Sequence, residues 1–99
     1  MGDSLDVARR FGANLRRVRR QADLSQEQLG FHSGLHRTEV GLLERGARVP
    51  RLDTLLKLAA GLGVRIESPL FEGMSWTRSG VTTRPGAFTF KPSEERPEK

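Results

Sequence analysis

The first part of the chain carries a stripe of apolar residues that repeats every three or four positions. The stripe comprises Leu5, Phe11, Leu15, Val18 and Ala22. Because that spacing places side chains on one face of a helix, the sequence predicts a first helix over residues 4–22, with Ser4 as its cap. Arginines fill the other faces of this helix, so we expect one buried side and one basic side.

A capping box predicts a second, short helix. Ser25 and Gln28 have the Ser-x-x-Gln spacing, in which each side chain bonds a free backbone N–H of the other residue. The sequence therefore predicts a helix at about residues 25–32, with Gln26 as its first helical residue. Gly34 suits the left-handed residue that ends a helix and turns the chain sharply.

A third helix is expected directly after this turn. Leu35, Val40 and Leu43 are apolar residues at helical spacing, and they predict a helix over residues 36–45 that closes at Glu44-Arg45-Gly46. Two short helices joined by a glycine-containing turn form a helix-turn-helix. The second helix of such a motif is shaped to enter the major groove of DNA.

A fourth helix follows a basic loop that contains Pro50. Its predicted apolar face comprises Leu52, Leu55, Leu56, Ala59 and Leu62. The glycines at positions 61 and 63 are expected to end it. Ser68-Pro69 is a cap followed by proline at the first helical position, and this pair predicts a short fifth helix.

From Gly73 onward the pattern changes to alternating β-branched and aromatic residues. The residues of this kind are Trp76, Thr77, Val81, Thr82, Thr83, Phe88, Thr89 and Phe90. Turn residues interrupt them at Ser79-Gly80 and Pro85-Gly86, so we expect one or two short strands, or a hairpin, over residues 74–91. The charged, proline-bearing residues 92–99 are expected to be a disordered tail.

The segment from Phe11 to Val64 resembles the lambda-repressor/Cro-like (XRE) helix-turn-helix family. Four motifs in the family's order carry the resemblance: LRRVR, LSQEQL, HRTEVGLLERG and VPRLDTLLKLAAGLGV. The resemblance implies a mainly α fold, with a five-helix domain over residues 4–73 that binds duplex DNA, usually as a dimer. It also implies that Arg19 pairs with Glu44 and so ties the first helix to the end of the recognition helix.

Positive charge is concentrated in the helical half of the chain. Residues 9–51 hold ten arginines and four acidic residues, whereas the remainder holds seven basic and eight acidic residues. A local basic field is the footprint of phosphate binding. The alternative for any single arginine is a solvated helix face without a binding role.

Other classes of function find little support in the composition. The chain has no cysteine, and no apolar run approaches the roughly 18 residues of a membrane-spanning helix, so we expect a soluble, cytoplasmic protein without a membrane contact. His32 and His36 are four residues apart, but Ser33-Gly34 interrupts the helix between them. Because no phosphate-binding glycine loop or nucleophile–base set is present either, we expect no metal, no cofactor and no enzymatic activity.

The start of the third helix holds the residues expected to read bases, because that end of a recognition helix points into the groove. The base-reading candidates are His36, Arg37, Thr38, Gly41 and Leu42. Arg37 is the foremost of them, since a guanidinium can bond guanine O6 and N7 together, and a phosphate contact is its alternative role.

Four further residues are expected to contact the DNA backbone. They are Gln26, Arg45, Arg48 and Arg51. In the resembling family, the glutamine at the position of Gln26 contacts the backbone and supports the recognition helix. The three arginines surround the loop after that helix, where contacts to phosphate set register without carrying sequence.

Two hypotheses for function follow. The first is a sequence-specific transcriptional regulator that binds a palindromic site as a homodimer, with repression favoured over activation. The alternative is an antitoxin-like or other interaction module that grips a protein partner through its C-terminal segment. We expect residues 74–91 to form a dimerisation arm, with folding back onto the protein's own helices as the competing possibility.

Overall fold

Four helices and one two-stranded sheet make up the computed structural model, which describes residues 3–67, 69–80 and 86–92. The helices are α1 (Ser4–Gln21), α2 (Gln26–Ser33), α3 (Arg37–Glu44) and α4 (Leu52–Leu62). The strands are β1 (Met74–Arg78) and β2 (Gly86–Phe90), which pair antiparallel with Trp76 opposite Phe88. The mainly helical fold with a C-terminal hairpin is therefore confirmed. Predicted strand residues 81–83 and the tail from residue 93 lie outside the described residues.

Reciprocal capping boxes fix the starts of α1 and α2. Ser25 and Gln28 form the predicted box, and Gly34 ends α2 with a φ of 68°. At α1 the predicted cap Ser4 is wrong, because Asp3 caps the helix. Asp3 accepts from the backbone N–H of Asp6, and the Asp6 carboxylate accepts from the backbone N–H of Asp3. Asp3 is the cap because a helix that follows it has Asp6, an acidic residue, at its third position, as a capping box requires. With Ser4 as the cap, the third position would be the apolar Val7.

The predicted fifth helix is wrong for the part of this segment that the structure describes. Pro69 forms an isolated bridge with Arg65, and residues 70–73 form turns, in which Glu72 N–H donates to Pro69 O and Met74 N–H donates to Phe71 O. Asn14, a fully buried residue of α1, donates through Nδ2 to the carbonyls of Leu70 and Glu72, at 2.9 and 3.0 Å. Because a side chain of α1 satisfies these carbonyls, the segment lies against α1 without the hydrogen bonds of a helix.

The core lies between the helices, and Leu70 from the segment after α4 is buried in it. Its buried members are Phe11, Leu15, Val18, Leu29, Val40, Leu43, Leu58, Ala59 and Leu70. The predicted face of α4 is partly wrong, because Leu52 is 71% exposed and Leu56 is 55% exposed, whereas Leu58 is buried. Leucines at positions 55, 58 and 62 with Ala59 form a second stripe at three–four spacing, and this stripe turns towards α2.

A buried ion pair joins α1 to α3, as the family resemblance implied. Arg19 donates through Nη2 to Glu44 Oε1 at 3.0 Å and through Nε to Oε2, and the two side chains are 11% and 4% exposed. Arg19 Nη1 also donates to the carbonyl of Leu24 at 2.7 Å. The backbones of α1 and α3 also lie close together at Gly12, where a Cβ atom would lie 2.4 Å from the carbonyl oxygen of Leu43.

Replacing Glu44 by Ala is expected to lower the free energy of unfolding by about 3–5 kcal/mol, because it leaves the buried Arg19 charge without its partner. Urea unfolding followed by circular dichroism measures the loss. Glu67→Ala is the matched control, since Glu67 pairs with Arg65 where both side chains are largely exposed. A loss no larger than the control's would mean that the buried pair does not form.

Candidate nucleic-acid interface

The turn between α2 and α3 sets how α3 is presented. Leu35 N–H donates to the carbonyl of Gly30 at 2.8 Å, and Gly34 supplies the left-handed conformation that this short connection needs. Val40 and Leu43 of α3 are fully buried. The inner face of α3 is therefore fixed in the core, and its first turn faces outward.

The first turn of α3 presents the leading base-reading candidates. His36, Arg37 and Thr38 are all exposed and consecutive. His36 is the cap of α3, and its Nδ1 accepts from the backbone N–H of Thr38 at 3.0 Å. The Arg37 guanidinium lies 3.8 Å from the Glu27 carboxylate, with both side chains largely exposed. The structure thus brings these three candidates together at one end of the helix.

The two candidates one turn further on are less accessible. Gly41 is buried, and Leu42 is only partly exposed, whereas the sequence pattern predicted that both would be exposed. The side chains of Gln26 and Arg45 cover Gly41, because a Cβ there would lie 3.5 Å from Gln26 Oε1 and 3.2 Å from Arg45 Nη1. A DNA contact by either residue stays a prediction, and at Gly41 it requires these two side chains to move.

Gln26 links the two helices of the motif. Its Nε2 donates to Glu44 Oε1 at 3.1 Å, so the first residue of α2 is bound to the last residue of α3. Gln26 is partly exposed, and it shares Glu44 with Arg19. The same amide therefore supports the recognition helix, while its contact to the DNA backbone stays a prediction.

Three exposed arginines extend the surface from the end of α3 to the start of α4. Arg45 follows α3, Arg48 lies in the connecting loop, and Arg51 stands at the cap position of α4 without a side-chain hydrogen bond to the helix. Arg48 lies 3.4 Å from Glu39, and Arg51 lies 3.3 Å from Asp53. Exposed ion pairs of this kind contribute about 0–1 kcal/mol, so phosphate oxygens can replace the carboxylates at little cost.

The surroundings of Arg37 were not predictable from the sequence pattern. An open cleft beside the first turn of α3 is lined by Glu27, Phe31, Leu35, His36 and Arg37. Phe31 is 86% exposed and makes an edge contact with the ring of His32. Residues 27 and 31 belong to α2 and residue 37 to α3, and the turn at Gly34 brings them together. A periodicity within one helix therefore does not predict this cleft.

Two features that other functions require are absent from the described residues. Within residues 3–67, 69–80 and 86–92, no three His, Cys, Asp or Glu side chains are grouped as a metal ion would require. In the same part of the chain, no helix combines the length and apolarity needed to cross a bilayer.

Comparisons with known proteins agree with this geometry. The sequence model of the family described as Helix-turn-helix matches residues 15–68. Control protein C.SmaI of Serratia marcescens is 38% identical over 82 residues, which is 83% of this chain and 90% of that protein. Control protein C.BamHI of Bacillus amyloliquefaciens is 41% identical over 56 residues, or 56% of this chain and 69% of its own length.

A solved relative has the same helical fold. The crystal structure of the restriction-modification controller protein C.AhdI from Aeromonas hydrophila superposes with a TM-score of 0.60 at 44% identity. The match covers 92% of that chain and 62% of this one. More than a third of the present chain therefore has no counterpart in C.AhdI.

Arg37→Ala and Arg48→Ala are expected to have different effects on DNA binding. The first should lower affinity for the cognate site and relax preference at one base position per half-site, because Arg37 lies at the start of α3. The second should weaken binding to all sequences alike, because Arg48 lies in the loop. Titrations against cognate and random DNA measure both effects, and equal losses on the two DNAs for both variants would contradict the assignment.

Proposed function

Because the chain belongs to the helix-turn-helix family and is a DNA-binding transcription regulator, we propose that it acts as a homodimer on a palindromic site. The observation that carries the proposal is the exposed first turn of α3, where His36, Arg37 and Thr38 lie side by side. In this proposal Arg37 reads a guanine and Thr38 meets a thymine methyl group or a phosphate. Gln26, Arg45, Arg48 and Arg51 contact the backbone and set the register.

The need for two subunits follows from the small area of a single motif. One recognition helix reaches only a few base pairs, whereas specific sites are bound by two such helices about 34 Å apart. A two-fold dimer supplies that second helix, and its symmetry demands a palindromic operator. We propose repression rather than activation, because a bound dimer can block a promoter sterically without contacting another protein.

The apolar face of the hairpin is the proposed dimer contact. Trp76 is 49% exposed and packs edge to face against Phe88, with ring centroids 4.9 Å apart. Val7, Phe71 and Met74 complete a shallow groove beside these rings. The groove has no charged residue in its lining, so two copies can meet through it about a two-fold axis without opposing like charges.

The strands themselves pair within one chain, so the proposed contact uses side chains rather than backbone pairing between subunits. Leu70 is buried in the core, and Asn14 binds the segment that leads into β1. This anchorage supports the proposal, because an isolated hairpin is only marginally stable and a dimer contact needs a fixed surface. The opposite face of the hairpin is polar, with Ser75 and Thr77 near Thr89.

The named relatives favour a regulator over an interaction module. Control proteins recur among them, with C.SmaI at 38% and C.BamHI at 41% identity, and C.AhdI, at 44% identity, is a restriction-modification controller protein. We therefore propose that the genes this protein regulates are of the restriction-modification class and that it works in the cytoplasm without catalysing a reaction. An antitoxin-like contact with a protein partner is the second candidate, and the same exposed Trp76 face would serve it.

Selection of bound sequences from random duplex DNA tests the palindrome. The expected result is two inverted half-sites whose centres are one helical turn, about 10 base pairs, or a multiple of it apart. Selection of a single unrepeated half-site by the full chain would contradict binding as a two-fold dimer.

Replacing Trp76 by Glu is expected to convert the dimer to a monomer and to weaken operator binding, because it places a charge in the apolar contact. Sedimentation velocity measures the change, and circular dichroism checks that the helices remain folded. Thr77→Glu is the matched control, since adjacent strand residues point to opposite faces. If Trp76→Glu stays dimeric, the interface lies elsewhere, with the exposed Leu52 and Leu56 of α4 as the next surface to test.

A further inference from the structure

We propose that His36 contacts DNA as a neutral hydrogen-bond donor through its Nε2–H, in a tautomer that is fixed by its second role as the cap of α3. The inference rests on DNA binding by α3 and is independent of how the chain dimerises. It gives His36 a chemistry different from that of Arg37, the adjacent residue.

The cap determines which nitrogen carries the proton. His36 has the extended backbone of a helix cap, with φ of −74° and ψ of 146°, and its Nδ1 accepts from Thr38 N–H at 3.0 Å. A ring nitrogen that accepts a hydrogen bond is unprotonated, so the single proton of the neutral imidazole is on Nε2. Nε2 is the ring nitrogen that the cap does not use, and its N–H is therefore left for another acceptor.

The position of the ring makes this donor available to DNA. His36 is exposed and lines the open cleft beside the first turn of α3, next to Arg37. Side chains at this end of a recognition helix are the ones that reach base edges and flanking phosphates. A lone donor selects acceptors, which are the phosphate oxygens, the N7 atoms of purines, guanine O6 and thymine O4, and it rejects the amino groups of adenine and cytosine.

Neutrality separates this contact from those of the arginines. A cationic side chain that binds phosphate releases counterions, and each such contact adds about 0.9 to the slope of log affinity against log salt concentration. A neutral donor adds hydrogen-bond energy without releasing ions. Losing the His36 contact should therefore lower affinity at every salt concentration and leave the slope unchanged.

His36→Gly isolates the donor from the cap. Glycine is tolerated at a helix cap almost as well as the preferred polar residues, so the variant should melt close to the wild-type temperature. Glycine has no side-chain donor, so affinity for the selected operator should fall roughly 3- to 10-fold. His36→Ala removes both functions and should lose thermal stability as well as affinity.

Fluorescence-anisotropy titrations of wild type, His36→Gly and Arg48→Ala over a series of salt concentrations form the test. A loss in His36→Gly with a wild-type slope, beside a reduced slope in Arg48→Ala, supports the neutral donor. If the loss is confined to the operator, the acceptor is a base, and if it extends to random DNA, the acceptor is a phosphate.

Two results would overturn the proposal. Wild-type affinity in His36→Gly would reduce His36 to a cap, and a slope lowered by about 0.9 would mean that the ring binds as a cation. Sedimentation of His36→Gly in parallel keeps this test separate from the dimer proposal. A variant that keeps the wild-type assembly state but binds DNA more weakly has lost a contact at α3 and not its partner subunit.

Discussion

The buried carboxylate of Glu44 is the point on which the position of the recognition helix depends. It accepts hydrogen bonds from Arg19 of α1 and from Gln26 of α2, and Arg19 also binds the carbonyl of Leu24 between them. A buried ion pair adds little net stability compared with apolar packing, yet a charge left unpaired there is strongly destabilising. The pair therefore acts mainly as a geometric constraint, because alternative placements of α3 leave a buried charge without a partner.

A second buried polar group does the same for the C-terminal segment. Asn14 lies four residues before Val18 on the inner face of α1, and its amide binds the carbonyls of Leu70 and Glu72. Buried amides of this kind cost free energy unless they are satisfied, so they select one path for the chain. That path carries Leu70 into the core and presents Trp76 beside Val7.

The features predictable from the sequence are those decided by nearby residues. The box of Ser25 with Gln28 and the left-handed Gly34 need only a few positions on either side, and the helical stripes through Val40 and Leu43 are equally local. The prediction of a fifth helix was wrong because Asn14, which binds the carbonyl of Leu70, is more than 50 residues away along the chain. On α4 two leucine stripes overlap, and only the packing against α2 decides that Leu58 is buried while Leu52 is exposed.

Burial also decides which arginines can exchange their carboxylate partner for another anion. Arg19 and Arg48 each lie beside a glutamate, but the first pair is almost wholly withdrawn from water and the second is open to it. Exchanging the partner of Arg19 for a phosphate would require unpacking α1 from α3 and leaving Glu44 without its main donor. At Arg48 the Glu39 carboxylate holds the guanidinium loosely on the surface, and an incoming phosphate can take its place at little cost. The same pairing of residue types thus fixes the fold where it is buried and remains exchangeable where it is exposed.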